Sequence, residues 1–274
     1  MGPQKMISQI TRKIKKIVHP LPTGRLPYVN RVTYLEQGNQ WYVPTLAGPS
    51  TFLKDVAGAE IVRQVLTLLD KLTPDRYMDF LINFYKTGLE KFGDEWFYAD
   101  INTVLLGLAK ALDVQSYLEI GVRRGRSMAM VAAQSPECYI AGFDLWINNY
   151  AGMENPGKEF VRAELERVGY KGTVEFFDGN SRVTVPRYFK DYSNNYFDMI
   201  TVDGDHSLEG ARIDLLNVIP RLKIGGILVF DDISNQDHSY LASLWRDLIG
   251  ADKQFASYSF DEVGFGIAFA IKKF

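Results

Sequence analysis

The stretch ITVDGDHSLEGARIDL, residues 200–215, decides the fold. It opens as an apolar run, sets Asp203, Asp205 and His206 within four positions, and leads into the helical pattern ARIDLLNVIPRL. A buried strand that stops in polar chemistry and hands over to a helix is the repeating unit of a mostly parallel sheet. In such sheets ligands bind beyond the carboxyl ends of the strands. The polar residues therefore fall where a site belongs.

The same rhythm runs in both directions from there. INTVLLGLAKAL, RSMAMVAAQ and EFVRAELERVG read as helices, each leading to a strand: SYLEIG, CYIAGFD and TVEFFDG. FDMITVDGD is the fourth strand, followed by the helix ARIDLLNVIPRL, the strand GGILVFDD and the helix HSYLASLWRDLIG. QFASYSF and GFGIAFAIKK have no helix between them and are expected to pair as a hairpin. A parallel crossover takes about a dozen residues and is usually a helix, so the alternation predicts an α/β fold with its sheet covered on both faces.

Residues 1–95 read differently, as a mainly helical N-terminal extension that shapes the substrate pocket or a dimer contact, with the main domain over 96–274. ISQITRKIKKIV sets Ile7, Ile10, Ile14, Ile17 and Val18 near helical spacing, with Arg12, Lys13, Lys15 and Lys16 between them. A membrane-surface helix fits that pattern; a helix packed on its own protein or on a second subunit, giving a homo-oligomer, fits it better. HPLPTGRLP, residues 19–27, is an extended connector, and VTYLEQGNQWYV a marginal hairpin. Helices are expected over 57–72 and 74–92, the second capped by Thr73 with Pro74 at its first position.

Composition sets the outer bounds. Hydrophobic residues are 46%, charged residues 23%, and the net charge is -2, which excludes disorder and a global affinity for nucleic acid. The single cysteine, Cys138, excludes an intramolecular disulfide. No apolar run approaches the roughly 18 residues of a membrane span, and the amino terminus lacks signal-peptide features. A cytoplasmic protein is the expectation.

LEIGVRRGRS, residues 118–127, combines a strand, a glycine turn and a helix start opened by Ser127. Gly121 and Gly125 let the backbone approach a ligand closely. The pattern is ExGxxxG, and Glu119 stands where a dinucleotide fingerprint has glycine. A carboxylate there repels pyrophosphate and suits an amine-bearing ligand. Asp144 ends the second strand, 144 − 121 = 23 residues beyond Gly121, placed to accept hydrogen bonds from two ribose hydroxyls. Asp178, Asn180 and Ser181, after the third strand, are candidates for an adenine edge.

These features resemble the class I S-adenosylmethionine (SAM) dependent methyltransferases over roughly residues 97–274. The resemblance implies a Rossmann-like seven-stranded sheet closed by an antiparallel last strand, which suits the helix-free final hairpin. It also implies SAM as cofactor, held by Glu119, Gly121, Gly125, Ser127, Asp144, Asp178, Asn180, Ser181 and Asp203.

Asp203 ends the fourth strand, and Asp231 and Asp232 end the fifth. Adjacent strands lie about 5 Å apart, so the three carboxylates converge and repel one another unless a cation joins them. An all-oxygen shell suits magnesium, manganese or calcium better than zinc. Asp205 orients its neighbours or caps the helix beginning near Ser207. The spacing, 231 − 203 = 28 and 232 − 203 = 29, resembles that of the metal-dependent O-methyltransferases, and most closely the macrocin-type antibiotic-sugar enzymes and the cephalosporin-hydroxylase-like group. That resemblance implies Asp203, Asp231 and Asp232 as ligands of Mg2+ or another divalent cation, and His206 as general base.

The chemistry agrees. A methyl sulfonium is already activated, so the enzyme mainly aligns an acceptor hydroxyl and removes its proton. A metal lowers that proton's pKa and an imidazole accepts it near neutral pH. A small hydroxylated acceptor follows, a sugar or a catechol-like diol. Trp146, Tyr150 and Met153, in the long connection LWINNYAGMENPG, are candidates to close over it. Arg123, Arg124 and Arg126 stand ready for an acidic substrate or for no ligand at all. Two other readings stay open: an iron-dependent hydroxylase, for which a two-histidine-one-carboxylate set is not apparent, and a non-catalytic SAM-binding scaffold.

Overall fold

The computed structural model describes residues 33–36, 39–42, 45–149 and 154–274. The expected segment 7–18 and connector 19–27, with Tyr150 and Met153, lie outside the described residues. The backbones of β1 (Thr33–Glu36) and β2 (Asn39–Tyr42) pair antiparallel, as the hairpin pattern predicts.

Three helices follow. A helix not expected, α1 (Pro49–Val56), precedes the one expected over 57–72, which is found as α2 (Ala59–Leu69), with Gly58, at φ 104°, turning the chain between them. α3 (Arg76–Phe92) starts later than expected, and its cap is Asp75, whose side chain accepts from Met78 N at 2.7 Å. Thr73 is drawn elsewhere: its amide and hydroxyl donate to Glu164 at 2.7 and 2.6 Å, pinning the chain to the helix that carries Glu164. Sequence spacing cannot distinguish a cap from a tertiary anchor when both are Thr or Asp.

α4 (Ile101–Ala111) opens on a capping box between Asp100 and Thr103. Strand and helix then alternate as β3 (Ser116–Ile120), α5 (Arg126–Gln134), β4 (Tyr139–Asp144), α6 (Lys158–Arg167), β5 (Val174–Asp178), α7 (Ser181–Asp191), β6 (Phe197–Val202), α8 (Leu208–Val218) and β7 (Leu222–Asp231). The last crossover begins with α9 (Tyr240–Trp245), which widens into a π turn at Arg246–Gly250, and ends in β8 (Phe255–Phe260) and β9 (Ile267–Lys272). The seven strands order as β5-β4-β3-β6-β7-β9-β8, with β9 antiparallel to both neighbours. This is the Rossmann-like sheet that the resemblance implied. Every residue of β6 is buried, Asp198 and Thr201 included, which is why its apolar residues show no clean alternation.

The order reverses between β3 and β6, and that reversal opens a crevice at the carboxyl ends of the strands. One apolar core covers a face of the sheet and continues without a break into the amino-terminal helices: Phe52, Val62 and Tyr85 pack in the same cluster as Leu105, Tyr117 and Met128. The extension thus rests on the fold beside the crevice. Among the described residues, no helix is long and apolar enough to cross a membrane.

Candidate active site

The crevice is a cavity of about 710 Å3 lined by both the glycine turn and the acidic strand ends. Gly121, at φ 94°, lies against the β6 end so closely that a Cβ there would meet the Asp203 carbonyl oxygen at 1.9 Å. Asp203 N in turn donates to Ile120 O at 2.9 Å. The glycine is therefore needed as much for strand contact as for room beside a ligand. Gly125, at φ 70°, starts α5, where a Cβ would meet Val161 Cγ1 at 2.5 Å.

Asp144 lines the cavity and organises two loops. Its Oδ2 accepts from Arg123 N at 2.6 Å and its Oδ1 from Trp146 N and from Asn155 Nδ2, the latter at 3.3 Å. Arg123 and Trp146 both hold left-handed backbones, φ 51° and 52°, each costing roughly 1–2 kcal/mol. Amides aimed at one carboxylate offset that strain, since charge-assisted hydrogen bonds are the strong ones. Asn180 and Ser181 also line the cavity, Asn180 capping α7 through Arg182 N at 3.0 Å.

Two expected cofactor contacts are not where the sequence puts them. Glu119 is fully buried and does not line the cavity; it accepts from Tyr117 Oη and from Ser127 Oγ at 2.7 Å. Burial pushes its carboxyl up to about 8, against the pull of those two hydrogen bonds. Its contact with the cavity is indirect, through Ser127, which lines it. Asp178 faces outward, its side chain 51% exposed, bonded to Lys158 Nζ at 2.6 Å and to Trp146 Nε1 at 2.9 Å. The lysine holds its carboxyl below the usual range. Trp146 is thus fastened to Asp178 and packs edge-on against Phe176.

The acidic tips do meet. Asp203 Oδ1 lies 3.2 Å from His206 Nε2, and Asp232 Oδ2 lies 3.4 Å from His206 Nδ1. One ligand atom from each of Asp203, His206 and Asp232 falls within 4.8 Å of the others. Asp231 lines the same cavity. Burial, then the charges of Asp203 and Asp232, push the Asp231 carboxyl well above its ordinary range, and burial and Asp203 raise Asp232 as well. For His206 burial pulls the pKa down, but the hydrogen bond and charge of Asp203, with Asp232 and Asp205, raise it on balance. Among the described residues, no lysine or arginine ion-pairs with any of the three acids, whose ion pairs are to His206. Carboxyls raised by the charge of neighbouring acids, as Asp231 and Asp232 are, fit a divalent cation, and their oxygens are the donors that a hard cation takes. His206 stands between two of them rather than beside all three.

Asp205 accepts from Ser207 N at 2.9 Å and from Arg182 Nη2 at 2.6 Å, next to the cap of α8. His238 packs edge-on against His206 with ring centroids 5.2 Å apart, and Tyr240 Oη donates to the His206 carbonyl at 2.8 Å. Sequence reasoning missed Tyr77, Asn102, Asn155, His238 and Phe265 as cavity residues. Tyr77, Asn102 and Phe265 come from segments distant from the motifs, whereas Asn155 lies in the long connection after Asp144 and His238 shortly after Asp232. Only Asn102 had a local signal, the Asp100–Thr103 capping box that fixes the helix start around it.

Residues 118–233 match the family model described as a methyltransferase domain. Among solved structures, the O-methyltransferase TomG from Streptomyces achromogenes, involved in tomaymycin synthesis and in complex with SAM, is 18% identical. The match covers 74% of this chain and 92% of that chain, with a TM-score of 0.52. The O-methyltransferase from Bacillus cereus in complex with SAH is also 18% identical, over 63% of this chain and 80% of that one, TM-score 0.51. Cofactor-bound Rv0187 from MTB is 22% identical, over 62% and 78%, TM-score 0.50. No curated protein matches the chain in sequence. The class I methyltransferase fold expected from the glycine turn and the final hairpin is the fold found.

Proposed function

We propose that this methyltransferase-domain enzyme transfers the methyl group of SAM to a hydroxyl of a small molecule, with a divalent cation and His206 at the point of transfer. What carries the assignment is the Asp203–His206–Asp232 cluster, with Asp231 beside it, in the cavity that begins at the glycine turn. Gly121, Ser127, Asp144, Asn180 and Ser181 line one continuous wall from that turn to the ends of β4 and β5. An extended nucleoside fits along such a wall, its ribose at Asp144.

Asp203, Asp231 and Asp232 are the residues to hold the cation. When bound, such an ion lowers the pKa of a hydroxyl beside it and fixes its orientation. His206 takes the hydroxyl proton on a ring nitrogen. The groups that raise its pKa are mainly Asp203 and Asp232, so a cation offsetting their charge would lower it again towards the range in which an imidazole accepts a proton. Tyr240 and His238 hold the ring's segment in place. A carbohydrate diol or a catechol, offering two neighbouring oxygens, suits a site with charge at one end and the half-exposed Phe265 at its rim.

The test is a turnover screen with SAM over catechols, flavonoids and deoxysugars, with magnesium or with chelator. His206→Ala is expected to lower turnover about a hundredfold to ten-thousandfold with SAM affinity nearly unchanged. Equal loss of both makes the histidine structural, and full turnover in chelator removes the metal from the mechanism.

A further inference from the structure

We infer that the rim of the crevice formed by Phe97, Val263 and Phe265 is the docking place of the chain's own residues 6–18, whose cations meet Glu95, Asp261 and Glu262. Such docking is independent of the methyl-transfer reading.

The segment stands out by its sequence. Spaced about 100° apart, as on a helix, Met6, Ile7, Ile10, Ile14, Ile17 and Val18 fall within an arc of about 120°, and Arg12, Lys13, Lys15 and Lys16 all lie outside it. An apolar stripe this complete needs an apolar surface to cover it. Residues 1–35 hold seven Lys and Arg and no Asp or Glu, so the remaining residues carry 24 bases against 33 acids. A matching surface is both apolar and acidic.

The rim has both properties. Phe97, Val263 and Phe265 are large apolar side chains left exposed, and contiguous apolar patches on a surface mark interaction sites. They sit together: Phe97 packs on Phe260 at the end of β8 with ring centroids 5.8 Å apart, and Gly264, between the other two, lies against Tyr98, where a Cβ would come within 3.3 Å of Oη. Ser234 N donates to Phe265 O at 2.7 Å, which fastens the turn to the loop after β7. Acids frame the patch, Asp261 and Glu262 in the same turn and Glu95 two residues before Phe97, all of them exposed. Among the described residues none of these three has an ion pair, whereas Asp94 beside them has Arg63 at 2.5 Å.

Position and tether select the chain itself as occupant. α1 packs against β8 and β9, so the chain enters the fold at the edge that carries the rim, and Leu46 just before it is 70% exposed. Residues 19–44 join the segment to that entry. A connection of this length keeps the segment at a local concentration on the order of millimolar, so a contact too weak to join two copies in dilute solution still holds it. An anionic lipid surface, which the cations alone would suit, is repelled by the acids of the rim. Docked there, residues 6–18 cover the mouth of the crevice where Phe265 lines it.

Disulfide trapping on the full chain tests this. Cys138 is buried and its thiol is pushed up to about 12, so it does not compete with introduced cysteines. Ile14→Cys is combined with Val263→Cys, with Phe97→Cys, or with Tyr196→Cys, which precedes β6 at the opposite end of the sheet. Under mild oxidation a disulfide within one chain is expected to form at least about tenfold faster with either rim cysteine than with Tyr196→Cys. Asp261→Lys with Glu262→Lys is expected to slow it about tenfold, and Lys15→Glu with Lys16→Glu in the same chain to restore it, a rescue that misfolding does not imitate. Equal rates at the rim and at Tyr196→Cys overturn the inference, as does a charge reversal that changes nothing or is not rescued. Disulfides formed only between chains assign the segment to a second copy, and protection of Lys13, Lys15 and Lys16 from trypsin that appears only with anionic vesicles assigns it to lipid; either result overturns docking within the chain.

Discussion

Replacing Gly121 by alanine strikes the joint between the glycine turn and the acidic strand. The new Cβ would lie 1.9 Å from the Asp203 carbonyl oxygen and 2.5 Å from its carbon. An ordinary carbon–oxygen contact is about 3.3 Å, so the two backbones must separate by roughly 1.4 Å. Overpacking of this kind costs about 1–3 kcal/mol, and a left-handed backbone on an L-residue adds roughly 1–2 kcal/mol. The expected loss of stability is therefore about 2–5 kcal/mol. The displaced backbone is also the one that carries Asp203, and a misplacement of about 1 Å in a reacting constellation costs on the order of a hundredfold in rate. Denaturant unfolding and turnover, measured side by side on Gly121→Ala and wild type, are to fall together. An alanine variant that unfolds at the wild-type midpoint and turns over at the wild-type rate refutes the claim that the turn and the acid end are pressed against each other.

Further outcomes follow from the charges around the cavity. Burial pushes the Asp214 carboxyl up to about 6, with Ser181 only partly opposing it. Its folded pKa is above the ordinary 3.8, so stability is full below pH 4 and is lost as pH rises through 6, by about 3 kcal/mol (2.2 units at 1.36 each). Asp214→Asn should raise the unfolding free energy at pH 8 and leave it nearly unchanged at pH 4; a gain of equal size at both pH values contradicts this. Asp75→Ala leaves two buried guanidinium groups without their shared acid and removes the α3 cap, an expected loss of about 3–5 kcal/mol. Thermal unfolding reads it, and an unchanged midpoint means that the amino-terminal helices do not depend on this contact.

Much of the fold was legible because its signals are local. Most strands of the main sheet announce themselves as short, largely apolar stretches, β8 as an alternation, and a helix-free gap before GFGIAFAIKK marks the antiparallel strand. The acids at Asp203, Asp231 and Asp232 were legible for the same reason, each ending a strand. What was not legible is side-chain direction. Glu119 and Ile120 are adjacent on β3, and the pleat sends successive side chains to opposite faces, so a carboxylate in the right motif turned inward to Tyr117 and Ser127. Asp178 was claimed by Lys158, 20 residues earlier in the chain, a pairing no spacing rule anticipates. Tyr77 and Asn102 reach the cavity only because the amino-terminal helices share the core of the sheet, a tertiary fact with no motif of its own.

Titration of the full chain with manganese, followed by the loss of free-ion electron paramagnetic resonance signal, tests the acid cluster most directly. Wild type should bind one ion per chain, and Asp203→Asn and Asp232→Asn should each weaken that binding about tenfold or more. Manganese that stays free in the presence of wild type, or binds both variants as tightly as wild type, contradicts a cation held between the ends of β6 and β7.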